Sequence, residues 1–239
     1  MAKGFTTWTV LPHEPWVRHE ENLWTLSGML PRGGLKRRMT VVRLADGRLV
    51  IHSAVAMDDA SRAAMEAWGP PAFLIVPNRF HRLDARTFKD RWPAMQVIAP
   101  PAAAKYVREV VPVDGGLELL PRDPSFVGEL LGGTGEREGV YVVKSGAANE
   151  RVTLIFNDAL FNLGRGKGFG GFVTRLIASA PGPRVTRIAR LFLFDDLVAG
   201  RAHYERLANV PGLYRIVVSH GRVIEENPGD VLRAVAATM

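Results

Sequence analysis

The chain has 239 residues, 47% of them hydrophobic and 23% charged, a composition that can build a core and is far from that of a disordered chain. It contains no cysteine, which excludes disulfides, thiolate metal ligands and a cysteine nucleophile, so any metal must be held by His, Asp or Glu. The formal charge is +7, but 31 basic residues are interspersed with 24 acidic ones and no run is denser than Lys36, Arg37 and Arg38, which argues against a nucleic-acid partner.

The N-terminal stretch MAKGFTTWTVLPHEPW lacks the apolar run of a signal peptide, and no stretch of about 18 apolar residues is present to span a bilayer. The expectation is a cytoplasmic protein with no membrane partner, folded as a single domain over residues 1–239. The first 55 residues read as a β meander, with Leu23 to Met29 and Met39 to Leu44 as short strands. Asp46 and Gly47 supply the tight turn of a hairpin whose second strand ends at His52. An acidic start, alanines and the stop at Gly69 predict a capped helix from Asp58 to Trp68. Ala72 to Val76 is a strand apolar on both faces. A helix from about Asp84 to Arg91, a strand from Met95 and a helix over residues 101–110 follow.

Val113 to Glu138 is rich in Gly and Pro and reads as a long loop. Gly139 and Arg151 then open two strands joined by a turn at Gly146 to Glu150. Residues 184–196 and 196–210 are helical by spacing, residues 212–220 form a buried strand ending at His220, and a last helix starts at Pro228. Strand and helix alternation requires a parallel portion that the opening hairpin cannot supply. The predicted class is therefore α/β, with two mixed sheets and helices outside them in an αββα four-layer sandwich.

Ligands in open α/β folds gather at the carboxyl ends of strands. Three segments place His or Asp there: AFLIVPNRFHRLDA, VTLIFNDALFNL and YRIVVSHGRV. In their order and spacing these segments resemble the metallo-β-lactamase-like superfamily, over most of the chain, and in particular an uncharacterised branch of β-lactamase-like domains. That superfamily's Thr-His-x-His-x-Asp-His run falls on residues 78–84, so His81 matches its second His and Asp84 replaces its last. Arg79 stands for the first His and Leu83 for the Asp. NDALF resembles the Gly-Asp-x-Leu-Phe turn and carries over Asp158, and SHG carries over the final ligand, His220. The third His, expected near Gly146 to Glu150, is absent, with Asn149 or Glu150 in its place. LVIHS puts His52 where relatives have a supporting Asp, as a structural histidine or a partner behind the ligands.

The resemblance thus implies one divalent metal ion on His81, Asp84, Asp158 and His220, with zinc favoured and manganese or iron as alternatives, and no binuclear centre. It implies a hydrolase acting on a small-molecule ester, lactone or phosphoester, with an anionic substrate compatible with Arg165 and Lys167. The other reading is a catalytically inactive relative serving as a ligand-binding or interaction module, in which Arg79 pairs with Asp84 or Asp158 and takes the ion's place. Leu163 to Gly171 contains a Gly-x-Gly-x-x-Gly spacing, but no clean strand precedes it and Gly168 follows Lys167 where a P-loop needs Ser or Thr, so a loop at the mouth of the site is expected instead. There is no Gly-x-Ser-x-Gly elbow, and the five tryptophans are too dispersed in sequence for a stacking platform.

Overall fold

The computed structural model describes residues 4–32, 34–164 and 181–239. The chain divides into two compact units, Met1–Gly128 and Glu129–Met239. The division falls inside the Gly- and Pro-rich stretch expected to be a loop. That stretch carries a 3-10 turn at Leu117–Leu119 and a strand, β7, at Phe126–Leu130. Gly128 and Glu129 interrupt its apolar run, which is why periodicity alone misses it.

The first unit is built on a six-stranded sheet in simple sequential order. Its strands are β1 (Val17–Glu20), β2 (Leu23–Met29), β3 (Lys36–Arg43), β4 (Leu49–His52), β5 (Pro71–Ile75) and β6 (Gln96–Ile98). The first four pair antiparallel and the last three parallel. The predicted hairpin forms between β3 and β4, where Leu44 donates to the Arg48 carbonyl at 2.9 Å and Gly47 adopts a φ of 87° that an L-residue rarely takes. Crossover helices α1 (Asp59–Trp68) and α2 (Ala85–Arg91) flank β5, and α3 (Pro101–Val107) follows β6. Asp58 caps α1 by accepting from the Ser61 amide at 2.7 Å. Leu26, Val41, Ile51 and Leu74 are completely buried, each worth about 1.5–3 kcal/mol of transfer free energy.

In the second unit the order is β12-β9-β8-β7, with β8 (Gly139–Ser145), β9 (Arg151–Phe156) and β12 (Leu213–Val218). β8 and β9 are antiparallel, β9 and β12 parallel. A separate two-stranded ribbon pairs β10 (Phe161–Leu163) with β11 (Gly182–Arg184). The segment 184–196, read as one helix, is split. Arg184 ends β11, and Thr186 caps a short α4 (Arg187–Phe192) by accepting from the Ala189 amide at 3.0 Å. Asp196 then caps α5 (Leu197–Ala208) through two amides. Capping side chains define these boundaries, whereas helical spacing alone runs straight through them. The last helix, α6 (Pro228–Ala236), starts with proline in its first turn and buries Leu232, Val235 and Ala236. No helix among the described residues is long and apolar enough to cross a membrane.

Candidate metal centre

Parallel pairing aligns carboxyl ends, and this places the candidate residues. In the second unit Phe156, the last residue of β9, sits opposite Val218, the last of β12. Asp158 and His220 each follow two residues later, so the register alone sets them side by side. The Asp158 Oδ1 lies 3.3 Å from the His220 Nε2, with side chains 16% and 6% exposed. His220 is held further by Phe161, whose ring stacks on the imidazole at 4.9 Å, and by its carbonyl, which accepts from the Asn162 amide at 3.0 Å. The glycine of SHG has a steric reason: Gly221 has a φ of 107°, and a Cβ there would meet the Asn162 carbonyl oxygen at 2.0 Å.

Sequence reasoning missed Glu138. This residue precedes β8 and is completely buried, where an unpaired carboxylate would be costly. Its carboxylate accepts from the Asp158 amide at 3.1 Å, the Ala159 amide at 2.8 Å and the Asn157 side-chain amide at 3.5 Å. From the other side the Tyr204 hydroxyl donates to the Ala159 carbonyl at 2.7 Å. Burial, and then the nearby Glu138 carboxylate, push this phenol well above its usual range, so it remains a donor. The turn bearing Asp158 is thus pinned by a buried carboxylate and a buried phenol. Antiparallel register was the available signal: the start of β8 lies opposite the end of β9, so a residue just before Gly139 arrives beside Asp158.

The same register explains why Asn149 and Glu150 do not supply the absent third histidine. Their turn lies before the first residue of β9, about 20 Å along the strand from Asp158 at about 3.3 Å per residue. Glu150 instead accepts from the Ala148 amide within the turn at 3.0 Å.

In the first unit His52, Ile75 and Ile98 share a register, aligning the ends of β4, β5 and β6. His81 lies in the loop after β5. The Asn78 Oδ1 accepts from the Phe80 and His81 amides at 2.8 and 3.2 Å, shaping that loop, and the His81 Nδ1 is 2.8 Å from the Ser53 hydroxyl. His52 is buried, 2% exposed, between Thr40 and Ile75 in the sheet.

Asp84, expected as a metal ligand, lies in a buried ion pair. Although it stands at the N-cap position of α2, it makes no cap bond, and its carboxylate is taken by the Arg37 guanidinium, the two side chains 0% and 5% exposed. Arg37 also donates to the Ala54 carbonyl at 3.0 Å. Burial, outweighing the attraction of Arg37, pushes the Asp84 carboxyl above its ordinary range. An aspartate so engaged is a poor metal ligand, because releasing it would leave a buried cation uncompensated. The cation on Asp84 is therefore Arg37; in the alternative reading it is Arg79, on Asp84 or Asp158. The Arg79 guanidinium lies over Phe80 at 4.6 Å and 5.4 Å from the Tyr106 ring. Leu83, at the family's Asp position, is buried. The glycine-rich segment from Arg165 to Gly171 lies outside the described residues. The tryptophans, dispersed in sequence, form two groups: Trp8 and Trp92 with Phe88, and Trp16 and Trp68 with Trp24.

No family model and no curated protein matches the chain by sequence. Among solved structures, the DIM-1 metallo-β-lactamase exposed to ceftazidime aligns with a TM-score of 0.63 at 10% identity, covering 96% of this chain and 99% of that one. The FIM-1 metallo-β-lactamase from Pseudomonas aeruginosa in its mono-zinc form aligns at 0.60 and 12% identity, covering 96% of each chain. A metallo-β-lactamase from Hirschia baltica aligns at 0.57 and 15% identity, covering 93% of this chain and 98% of that one. The fold of this chain is metallo-β-lactamase-like, with two mixed sheets and helices.

Proposed function

We propose that the protein is a metal-dependent hydrolase holding one divalent ion, with Asp158 and His220 as ligands in the second unit and His81, carried over from the family's motif, as the third. The observation that carries the reading is the Asp158–His220 pair at 3.3 Å, a carboxylate oxygen and an imidazole nitrogen brought together by strand register on a turn built to hold them. Two imidazoles and one carboxylate fit the group chemically: they make the three-ligand set typical of catalytic zinc sites, which leave a further position open. The same donors suit iron or manganese, over which zinc is favoured by intrinsic affinity. Two departures from the family's motif limit the reading to one ion: Leu83 offers no donor, and Asp84 is committed to Arg37.

Within this reading the chain's own groups divide the work. Asp158 and His220 bind, Glu138 fixes the backbone of Asp158, and Phe161 orients the His220 ring. A bound divalent ion would supply Lewis-acid activation of water and of the substrate's carbonyl or phosphoryl oxygen. Arg79, two residues before His81, with Phe80 at 49% exposure, favours an anionic small-molecule ester, lactone or phosphoester.

The rival reading, an inactive ligand-binding or interaction module, draws on the same pair, since a protonated His220 and Asp158 satisfy each other as an ion pair. Total-metal analysis after titration with zinc separates the two. One ion per chain is expected, lost in both His81→Ala and Asp158→Ala but retained in Asp84→Asn. Uptake below roughly 0.1 ion per chain supports the rival instead. Hydrolysis of p-nitrophenyl acetate, a γ-lactone and p-nitrophenyl phosphate by the loaded protein then selects the substrate class.

A further inference from the structure

The second unit carries a cleft of about 560 Å³ that neither Asp158, His220 nor Glu138 lines. Three elements build it. β11 ends on Arg184, and α4 adds Arg187 and Arg190, three residues apart and so on one helix face. α6 supplies Val231, Ala234 and Val235, which share a stripe by their spacing of three and four. The lining is thus apolar from α6 and cationic from β11 and α4, and it contains no acidic residue. Elsewhere in this unit arginines meet carboxylates: Arg206 on Glu129, Arg215 on Glu225 and Arg233 on Asp230. In the cleft, Arg190 donates to the Thr238 carbonyl and Arg184 to the Pro181 carbonyl, both neutral acceptors. The Arg184 Nε is also buried with no hydrogen-bond partner, an unmet donor of the kind that a bound group ordinarily satisfies.

We propose that this cleft binds a small amphipathic anion, a carboxylate or phosphate monoester carried on an alkyl or aryl body. The guanidinium groups supply the head-group chemistry, because their forked N–H donors match carboxylate and phosphate oxygens and their charge is permanent. Val231, Ala234 and Val235 supply the rest: an apolar body laid on them leaves water, which gives it affinity that a bare ion lacks. The volume lies within the range of about 300–1,000 Å³ that small-molecule sites take. A cationic ligand is excluded by the same charges. The inference stands apart from the metal-site reading, since no candidate metal ligand lines the cleft.

The test is calorimetric titration of the metal-free full chain with octanoate, octyl phosphate, inorganic phosphate and octyltrimethylammonium, all below micelle formation. Saturable binding of one octanoate or octyl phosphate per chain is expected, the tighter of the two identifying the head group, with inorganic phosphate weaker and no binding of the cation. Arg190→Gln is expected to weaken the anions about 10-fold or more. Ala234→Trp, at an exposed position of α6, fills the apolar part of the cleft and is expected to abolish binding with the melting temperature of the free protein unchanged. Asp158→Ala is expected to bind octanoate as wild type does. Absence of saturable anion binding, equal binding of the cation, inorganic phosphate as tight as octyl phosphate, or wild-type affinity in both cleft variants overturns the proposal. Anion binding lost in Asp158→Ala but kept in Ala234→Trp would place the anion at the metal centre and overturn it as well, whereas failure to take up zinc bears only on the metal reading.

Discussion

Asp84 and Asp158 make an instructive pair. Each follows a buried strand, at the end of a parallel register, and each is carried over from a motif of the same family, yet they end in opposite circumstances. Asp84 is sealed with Arg37, its side chain wholly buried, and its charge is balanced by a neighbour that cannot be deprotonated. Asp158 keeps 16% of its side chain accessible and faces a histidine, while its backbone rather than its carboxylate is tied to the protein core through Glu138. The two aspartates thus differ less in their own identity than in where the compensating charge sits. Where a permanent cation is supplied, the aspartate becomes structural. Where the turn is held by other groups, the carboxylate keeps part of its surface accessible.

The largest expected effect that would break this contrast comes from the buried pair. Replacing Arg37 with Met leaves Asp84 buried beside no cation and is expected to cost about 3–5 kcal/mol in urea unfolding, most of it recovered in the double variant Arg37→Met, Asp84→Leu. A single variant losing under about 1 kcal/mol would show that Asp84 is not committed to Arg37. Next in size is Glu138→Ala, which strips the acceptor from two buried backbone amides and is expected to cost about 2–3 kcal/mol and to weaken zinc uptake at Asp158. Unaltered zinc affinity in a folded Glu138→Ala protein would mean the turn is positioned by something else.

A smaller effect lies elsewhere in the second unit, where Glu129 gives a charge-supported contact unrelated to the site. Its carboxyl is held down to about 2 from an ordinary 4.5, first by the His203 ring, whose Nδ1 accepts from the Gly132 amide so that Nε2–H points to Glu129, and then by Arg206 at 2.6 Å. A carboxylate depressed in the fold contributes stability that is complete above pH 4.5 and is lost as pH falls from there toward 2. With Glu129 partly exposed, solvent screening reduces the contribution to about 1 kcal/mol. Glu129→Gln should therefore lower stability by about 1 kcal/mol above pH 4.5, flatten the acid limb of a pH–stability profile between pH 4.5 and 2, and leave stability at the acid end little changed. An unchanged acid limb counts against this.

Much of the fold was legible from local chemistry. The Asp46-Gly47 hairpin, the Asp58 cap, the strand from Arg151 to Phe156 and the helix from Pro228 are each specified by residues within one turn or one strand of one another. The missed elements are those whose signal is broken or shared. β7 is interrupted by Gly128 and Glu129, and residues 184–196 hold helical spacing across a capped break at Thr186. The candidate site was legible only where a residue sits at a fixed short distance past a strand, as Asp158 and His220 do.

What the sequence by itself determined, then, is which residues arrive at strand ends, because strand length and the two-residue step beyond it are local properties. Only the tertiary structure decided which of them have partners. Arg37 reaches Asp84 across 47 positions, Glu138 reaches the Asp158 turn across 20, and Ser53 reaches His81 across 28. Those pairings depend on sheet register, and on burial, which raises the cost of leaving any charge or amide unmatched, and neither is visible in a window of neighbouring residues.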